Sequence, residues 1–315
     1  MNSIAIVGFG NHVKKNIMPA LKRIGVKPLY IVVKNVNKHV GFPGFNITHE
    51  YTDALFDSEV DCIYVATPIA THYMLVKNAI QSGKNVICEK PLVVSLKQVL
   101  HLYSLADEKK VKLHQVLMYQ HHKQYQKLKS FIARTDFGKL KRVYISFKIP
   151  HLNLSDIRYS SDMCGGALYD VGFYPISLAI SLFPMASFVS SVLTTEDGYD
   201  VDLAGSAIMK CNDIIIDLSW AIGSCYENLI TLDYSQNRVL FERIFSKPET
   251  LDVNAKIFDN FGGWEIENIG EDDQFANMFI NLLGDEVSPS STDVDRLVSV
   301  KTIEILEMIK SKNKQ

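Results

Sequence analysis

Two short stretches hold the side chains whose types and spacing suit proton transfer. The first is Val86-Ile87-Cys88-Glu89-Lys90-Pro91-Leu92, an apolar run that ends in a charged pair and a proline. A lysine at the end of a buried strand is costly to hold without a partner or a task. Beside a carbonyl carbon that receives hydride, Lys90 could give a proton or a hydrogen bond to the oxygen. The plainer reading is a structural Glu89–Lys90 pair at a strand end. The second stretch is Gly165-Gly166-Ala167-Leu168-Tyr169-Asp170-Val171-Gly172-Phe173-Tyr174-Pro175. Asp170 and Tyr174 share one helix face, and Ser177 and Ser181 continue that stripe on an otherwise apolar helix. A carboxylate and a phenol buried there need polar company, which a hydroxyl-bearing substrate would supply. Tyr174 could then pass the proton, with Asp170 orienting the substrate or tuning Tyr174 and Lys90. A core tyrosine of ordinary amphipathic kind has the same spacing.

The elements that must position these groups follow from periodicity. Ser3 to Val7 is a short apolar strand, followed by Gly8-Phe9-Gly10-Asn11-His12-Val13 and by helical spacing through Ile17, Ala20, Leu21 and Ile24. Strand, glycine turn and helix is the context of a dinucleotide fingerprint: Gly8 permits the turn, and Gly10 lets backbone approach a pyrophosphate at a helix N-terminus. Val13 stands where the third glycine would be, and its branched side chain is expected to push the helix from the strand. The next strand, Leu29 to Val33, ends in Lys34-Asn35-Val36-Asn37-Lys38. An acid here would bind the ribose of NAD; Lys34 with amide neighbours such as Asn35 suits a 2′-phosphate, so NADP(H) is preferred and NAD(H) possible. Val60 to Ala66 is a strand stopped by Thr67-Pro68, and Thr71-His72 opens a helix. Val86 to Cys88, a helix capped by Ser95, and Leu113 to Leu117 complete an alternation that implies a doubly wound parallel sheet. Ligands of such sheets lie at the carboxyl ends of strands, where Gly8, Lys34, Thr67 and Glu89-Lys90 all fall.

After about residue 120 the rhythm changes to a helix (Tyr125 to Arg134), a strand (Leu140 to Ile149), a helix (Ala167 to Phe183), five strand-like runs between Ser187 and Ile244, and two closing helices. The expected domains are a dinucleotide-binding one over 1–120 and a substrate-binding and oligomerisation α+β domain with a large, mostly antiparallel open sheet over 121–315. The lysines from Lys310 to Lys314 read as a solvated tail. With 315 residues, 47% apolar and 22% charged, the chain can build two cores. A net charge of −2 argues against nucleic acid or an anionic membrane as partner. The five cysteines lack zinc-ligand spacing and read as reduced thiols. Val171 to Thr195 carries no charge and is long enough to span a bilayer, but Pro175, Pro184 and several serines favour a buried helix and strand. No secretory leader is legible, so a cytoplasmic location is expected. No metal site is expected.

The runs Ala66-Thr67-Pro68-Ile69-Ala70-Thr71-His72 and Gly83 through Glu89-Lys90-Pro91-Leu92, with the Gly165 to Tyr174 stretch, resemble the glucose–fructose oxidoreductase / inositol dehydrogenase / rhizopine catabolism (Gfo/Idh/MocA) family. The resemblance covers nearly the whole chain. It implies a Rossmann domain, a C-terminal domain whose open sheet often forms a dimer face, and hydride transfer between a nicotinamide and a sugar or polyol carbon. It places Lys90 as the family lysine, Asp170 as its aspartate and Tyr174 at the terminal acid/base position, where many members have histidine. The residues expected against the cofactor are Gly8, Phe9, Gly10, Asn11, His12, Val13, Lys34, Asn35, Ala66, Thr67, Pro68, His72, Glu89 and Lys90. The departures are Val13, Asn16 in place of a frequent histidine, and Tyr119-Gln120-His121-His122-Lys123 in place of an Arg-Phe-x-Pro pattern. That loop normally faces substrate, so Tyr119 and His121 join Lys90, Asp170 and Tyr174 as expected substrate contacts.

A phenol of ordinary pKa is protonated at neutral pH and suits ketone reduction. The expectation is therefore an NADP-dependent reductase of a keto-sugar, possibly nucleotide-linked, acting as a homodimer or homotetramer. Oxidation of a free sugar, polyol or cyclic diol is the alternative within enzymes, and an NADP-sensing regulatory protein the alternative outside them.

Overall fold

The computed structural model describes residues 3–36, 45–284 and 289–313; Asn37 and Lys38 lie outside them. Contact density divides the chain into two units, Met1–Leu117 with Phe275–Val300, and Met118–Gln274 with Lys301–Gln315. The last two helices were assigned to the second domain, yet residues 275–300 group with the first.

The first unit opens with β1 (Ile4–Val7), a π-wound turn (Val13–Ile17) and α1 (Met18–Arg23). Then come β2 (Tyr30–Val32), β3 (Asn46–Thr48), α2 (Tyr51–Phe56), β4 (Cys62–Val65), α3 (Ile69–Gln81), β5 (Asn85–Cys88), α4 (Leu96–Lys109) and β6 (Leu113–Gln115). All strand pairings are parallel, in the order β3-β2-β1-β4-β5-β6. β1 and β4 are buried along their whole length, as strands covered on both faces must be. The order reverses between β1 and β4, the switch point at which doubly wound sheets take their ligands. β3 and α2 were not anticipated, because three residues of strand and six of helix carry too little periodicity to register.

The second unit contains α5 (Lys123–Ile132), β7 (Leu140–Ile149), a second π-wound turn (Leu168–Gly172) that runs into α6 (Phe173–Leu182), and then β8 (Ser187–Thr194), β9 (Ala204–Cys211), β10 (Ile214–Ile222), β11 (Glu227–Tyr234), β12 (Asn237–Glu242), β13 (Val253–Asp259) and β14 (Trp264–Gly270). The eight strands run β14-β13-β12-β11-β7-β10-β9-β8, antiparallel except for β7 beside β10. Alternation sorts the residues to two faces: Val143, Ile145, Phe147, Ile216, Leu218, Ile230, Leu232, Val239 and Phe241 are buried, while Tyr144, Asp217, Thr231, Leu240 and Lys256 align on the other. β13 and β14 were missed although Val253 to Asp259 alternates and Asn260 to Gly263 is a turn sequence. The chain closes with α7 (Gln274–Leu283) and α8 (Pro289–Lys312). Lys310, expected in a solvated tail, is on α8 and donates to the buried Asp202 at 3.2 Å.

The helical stretch Ser161–Leu182 is long and apolar enough to cross a membrane, but 67% of that window is buried inside the protein.

Candidate active site

In the first unit the turn after β1 is shaped by Gly8. Its amide donates to Val32 O at 2.9 Å and its φ is +98°, a conformation that disfavours any side chain. An added Cβ would lie 2.4 Å from Ala66 O, so the backbone itself fills that space. At Gly10 a Cβ would meet nothing within 4 Å. Gly10, Asn11 and His12 thus form an open backbone rim, whereas Phe9 and Val13 point into the core. Val13 is accommodated where the helix widens into its π-wound turn. Lys34 and Asn35 are exposed just past β2. A glycine cradle at the switch point, an open rim and a cation beyond the second strand fit a dinucleotide phosphate chain.

Glu89, at the end of β5, is the hub of this half. Asn16 Nδ2 donates to His12 Nδ1 at 3.0 Å, so the imidazole proton sits on Nε2 and is given to Glu89 Oε1 at 2.9 Å. The Tyr64 hydroxyl donates to the same oxygen, and Lys90 N to Oε2 at 3.3 Å. Burial opposes ionisation of Glu89, but His12, Tyr64 and Lys90 outweigh it and hold the carboxyl down at about 2. Lys90 is half-buried, with a cis bond to Pro91. Sequence reasoning named His12 and Glu89 separately; their pairing, and the part of Tyr64 and Asn16, needed the fold.

His72 is only 1% exposed, so it cannot touch a cofactor as expected. Its ring joins Thr67 O (2.8 Å) to Pro91 O (2.9 Å), tying the loops after β4 and β5 together. Burial pushes its pKa down while the carbonyls pull it up. Thr67 and Thr71 share a hydroxyl contact at 2.7 Å, and Ala66, Thr67 and Pro68 remain half-exposed at the mouth of β4.

In the second unit the Gly165-Gly166 pair has a packing cause. Gly166 has a φ of +110°, and a Cβ on it would press within 2.7 Å of Asp202 Oδ1. Asp202 in turn accepts from Leu168 N at 2.6 Å and so secures the start of the π-wound turn. That turn carries Asp170. Its Oδ2 accepts from Arg158 Nε at 2.6 Å, while Arg158 Nη1 is 3.1 Å from Asp156. Arg158, unpredicted from sequence because it lies in an irregular loop, has its pKa raised, chiefly by Asp170.

Tyr174 stands half-buried among rings: Phe147 at 5.2 Å, Phe245 at 5.3 Å and Phe173 at 6.0 Å between centroids. The serine stripe beside it finds its polar company inside the protein. Ser177 meets the Tyr119 hydroxyl at 3.0 Å, and Ser181 meets Tyr125 at 2.5 Å and Gln120 at 3.0 Å. Tyr119, expected against substrate, is fully buried and supports this wall from behind. His121 is half-buried at the end of a short 3-10 turn, Met118–His121. His122 is buried, accepts from Gln124 N at 3.0 Å, and has its pKa pulled to about 4 by burial and by Lys247. Among the described residues no group of three or more His, Cys, Asp or Glu is placed to hold a metal ion. A cavity of about 450 Å³ on the outward sheet face, bordered by Lys148, Ser206, Ser219, Tyr226 and Glu227, includes neither Asp170 nor Tyr174.

A glycine-turn Rossmann unit followed by a large open-sheet unit with a helix-borne Asp and Tyr defines a two-part nicotinamide oxidoreductase. Two family models agree: the oxidoreductase family with NAD-binding Rossmann fold over residues 2–117, and the GFO/IDH/MocA C-terminal domain over residues 125–239. The chain belongs to the GFO/IDH/MocA oxidoreductase family. It is 32% identical over 202 residues to a dTDP-3,4-didehydro-2,6-dideoxy-alpha-D-glucose 3-reductase of Actinomadura kijaniata, spanning 64% of this chain and 61% of that one. The reductase of the same name from Streptomyces violaceoruber is 35% identical over 200 residues, 62% of this chain and 58% of that one. The match thus spans about three-fifths of these relatives. The crystal structure of KijD10, a 3-ketoreductase from Actinomadura kijaniata bound to NADP and TDP-benzene, superposes with a TM-score of 0.90 at 25% identity, over 98% of this chain and 97% of that one.

Proposed function

We propose that this protein is an NADP-dependent reductase of a keto-sugar carried on a nucleotide, working in the cytoplasm. The observation that carries the reading is the state of Asp170. Because Arg158 engages it, Asp170 positions the helix and its neighbours, which leaves Lys90 and Tyr174 as the groups that deliver the proton. The likeness to NADP-using 3-ketoreductases supports the substrate and cofactor classes.

The turn Gly8-Phe9-Gly10-Asn11-His12 would hold the pyrophosphate, and Lys34 with Asn35 the 2′-phosphate; NADPH, when bound, supplies the hydride. Glu89, clamped by His12 and Tyr64, sets the direction of the chain at Lys90. Lys90 would serve as a hydrogen-bond donor that polarises a carbonyl, and Tyr174, standing among Phe147 and Phe245, as a phenol that gives up its proton as the alkoxide forms. The outward face of the eight-stranded sheet supports self-association. Its charges are paired within the face, Arg142 with Asp217 and Lys148 with Glu227, and Val192, Ile208 and Ile215 stand exposed between them.

The test is NADPH oxidation with free and nucleotide-linked keto-sugars, run beside Lys90→Ala and Tyr174→Phe. Each variant is expected to keep NADPH binding and to lose roughly 10²–10⁴-fold in turnover. Unchanged turnover in both would overturn the assignment. Turnover of alcohols with NADP⁺ but of no ketone would favour sugar, polyol or diol oxidation instead.

A further inference from the structure

The second unit contains five arginines. Arg134, Arg142, Arg158 and Arg238 each lie against a carboxylate. Arg243 differs: among the described residues it faces no carboxylate, is exposed, and rests its guanidinium 4.4 Å over the ring of Tyr226. Its backbone has a φ of +55°, a conformation costly for a branched-chain position and rare for a bulky residue. The fold keeps it there by anchoring both sides. Arg243 N donates to Asn228 O at 2.6 Å. The buried Asn228 side chain then accepts from Phe245 N at 3.0 Å and donates to Ser246 O at 3.2 Å and to the Tyr226 hydroxyl at 3.0 Å. One amide therefore locks the loop after β12 and Tyr226 into a single piece.

That piece is continuous with the wall of Tyr174. Phe245 packs on Tyr174, and Phe147 touches both Tyr174 (5.2 Å) and Tyr226 (6.4 Å). An uncompensated guanidinium is thus held two ring contacts from the proton-donating phenol. A planar, five-donor cation suits a phosphate in bidentate fashion, and stacking on an aromatic face fixes its plane without neutralising it.

We propose that Arg243, braced by Tyr226 and Asn228, receives the diphosphate of the nucleotide-linked substrate and thereby selects it over a free sugar. This rests on the nucleotide-sugar reading above. Calorimetric titration of dTDP, and separately of NADPH, into the native protein, R243G and R243K tests it. Glycine suits the left-handed backbone, so R243G should fold with a melting temperature near the native one, and R243K retains the charge should it not. The expected result is dTDP binding weakened roughly 10–100-fold in R243G, less in R243K, with NADPH binding unchanged and KM for the nucleotide-linked substrate raised. Equal dTDP affinity in the native protein and R243G would overturn the role of Arg243 while leaving the nucleotide-sugar reading intact. No dTDP binding by the native protein would overturn both, and free keto-sugars would then be the substrates to assay.

Discussion

At the scale of single residues, Glu89 keeps its charge with only 15% of its side chain exposed. Its carboxyl is held at about 2, against an ordinary 4.5, because His12, Tyr64 and Lys90 together outweigh burial. A carboxyl held low in the folded state stabilises above its unfolded pKa, and that contribution disappears as pH falls through the folded one. At about 1.4 kcal/mol per tenfold change in proton affinity, the effect is on the order of 3 kcal/mol, present at neutral pH and lost between about 4.5 and 2. His12→Ala removes the main partner. Urea titrations across this range should find the variant less stable at pH 7 and its stability less dependent on pH below 4.5. An unchanged slope would mean that His12 does not hold the charge. Asn16→Ala acts one step further out: it frees the His12 ring to turn, so activity should fall while stability moves by less than in His12→Ala.

At the scale of elements, each π-wound turn carries a site residue, Asn16 on one and Asp170 on the other, with His12 just before the first and Tyr174 on the helix after the second. A π turn widens the helix and re-aims the side chains that follow it. The second is pinned at its exit, where a Cβ on Gly172 would come 2.9 Å from the Trp220 ring. Trp220 is itself buried on β10, so it has little room to withdraw. Gly172→Ala should therefore cost about 1–3 kcal/mol by overpacking and shift Tyr174 relative to Phe147. The readouts are the urea midpoint and turnover, and both should drop. A fall in stability with full turnover would show that the helix re-seats without disturbing the phenol.

At the scale of the whole molecule, the outward face of the second sheet combines exposed aliphatic residues with charges that satisfy one another. Such a face has nothing to gain from water along its apolar strips and carries little net charge to repel a second copy. Ile208, 40% exposed on β9 and in register with Asp217, stands one strand in from the β8 edge of it. Sedimentation should find the native protein self-associated and Ile208→Glu monomeric, since the new carboxylate would be stripped of water next to Asp217. A native monomer would remove the sheet face from consideration as an interface.

How much of this was legible depends on the range of the cause. The Rossmann alternation, the Gly8 turn and the charged strand end at Glu89-Lys90 were readable, because burial on both faces and a left-handed turn impose residue types on consecutive positions. The engagement of Asp170 by Arg158 was not, nor the capture of Ser177 and Ser181 by Tyr119, Tyr125 and Gln120, nor the burial of His72. In each case a polar group's partner comes from a different element, and no local pattern in the chain records which distant donor will reach it. Local sequence determined where chemistry-bearing side chains stand on their elements; the tertiary structure decided which of them remain available for chemistry, because the satisfaction of buried polar groups is settled only when elements pack.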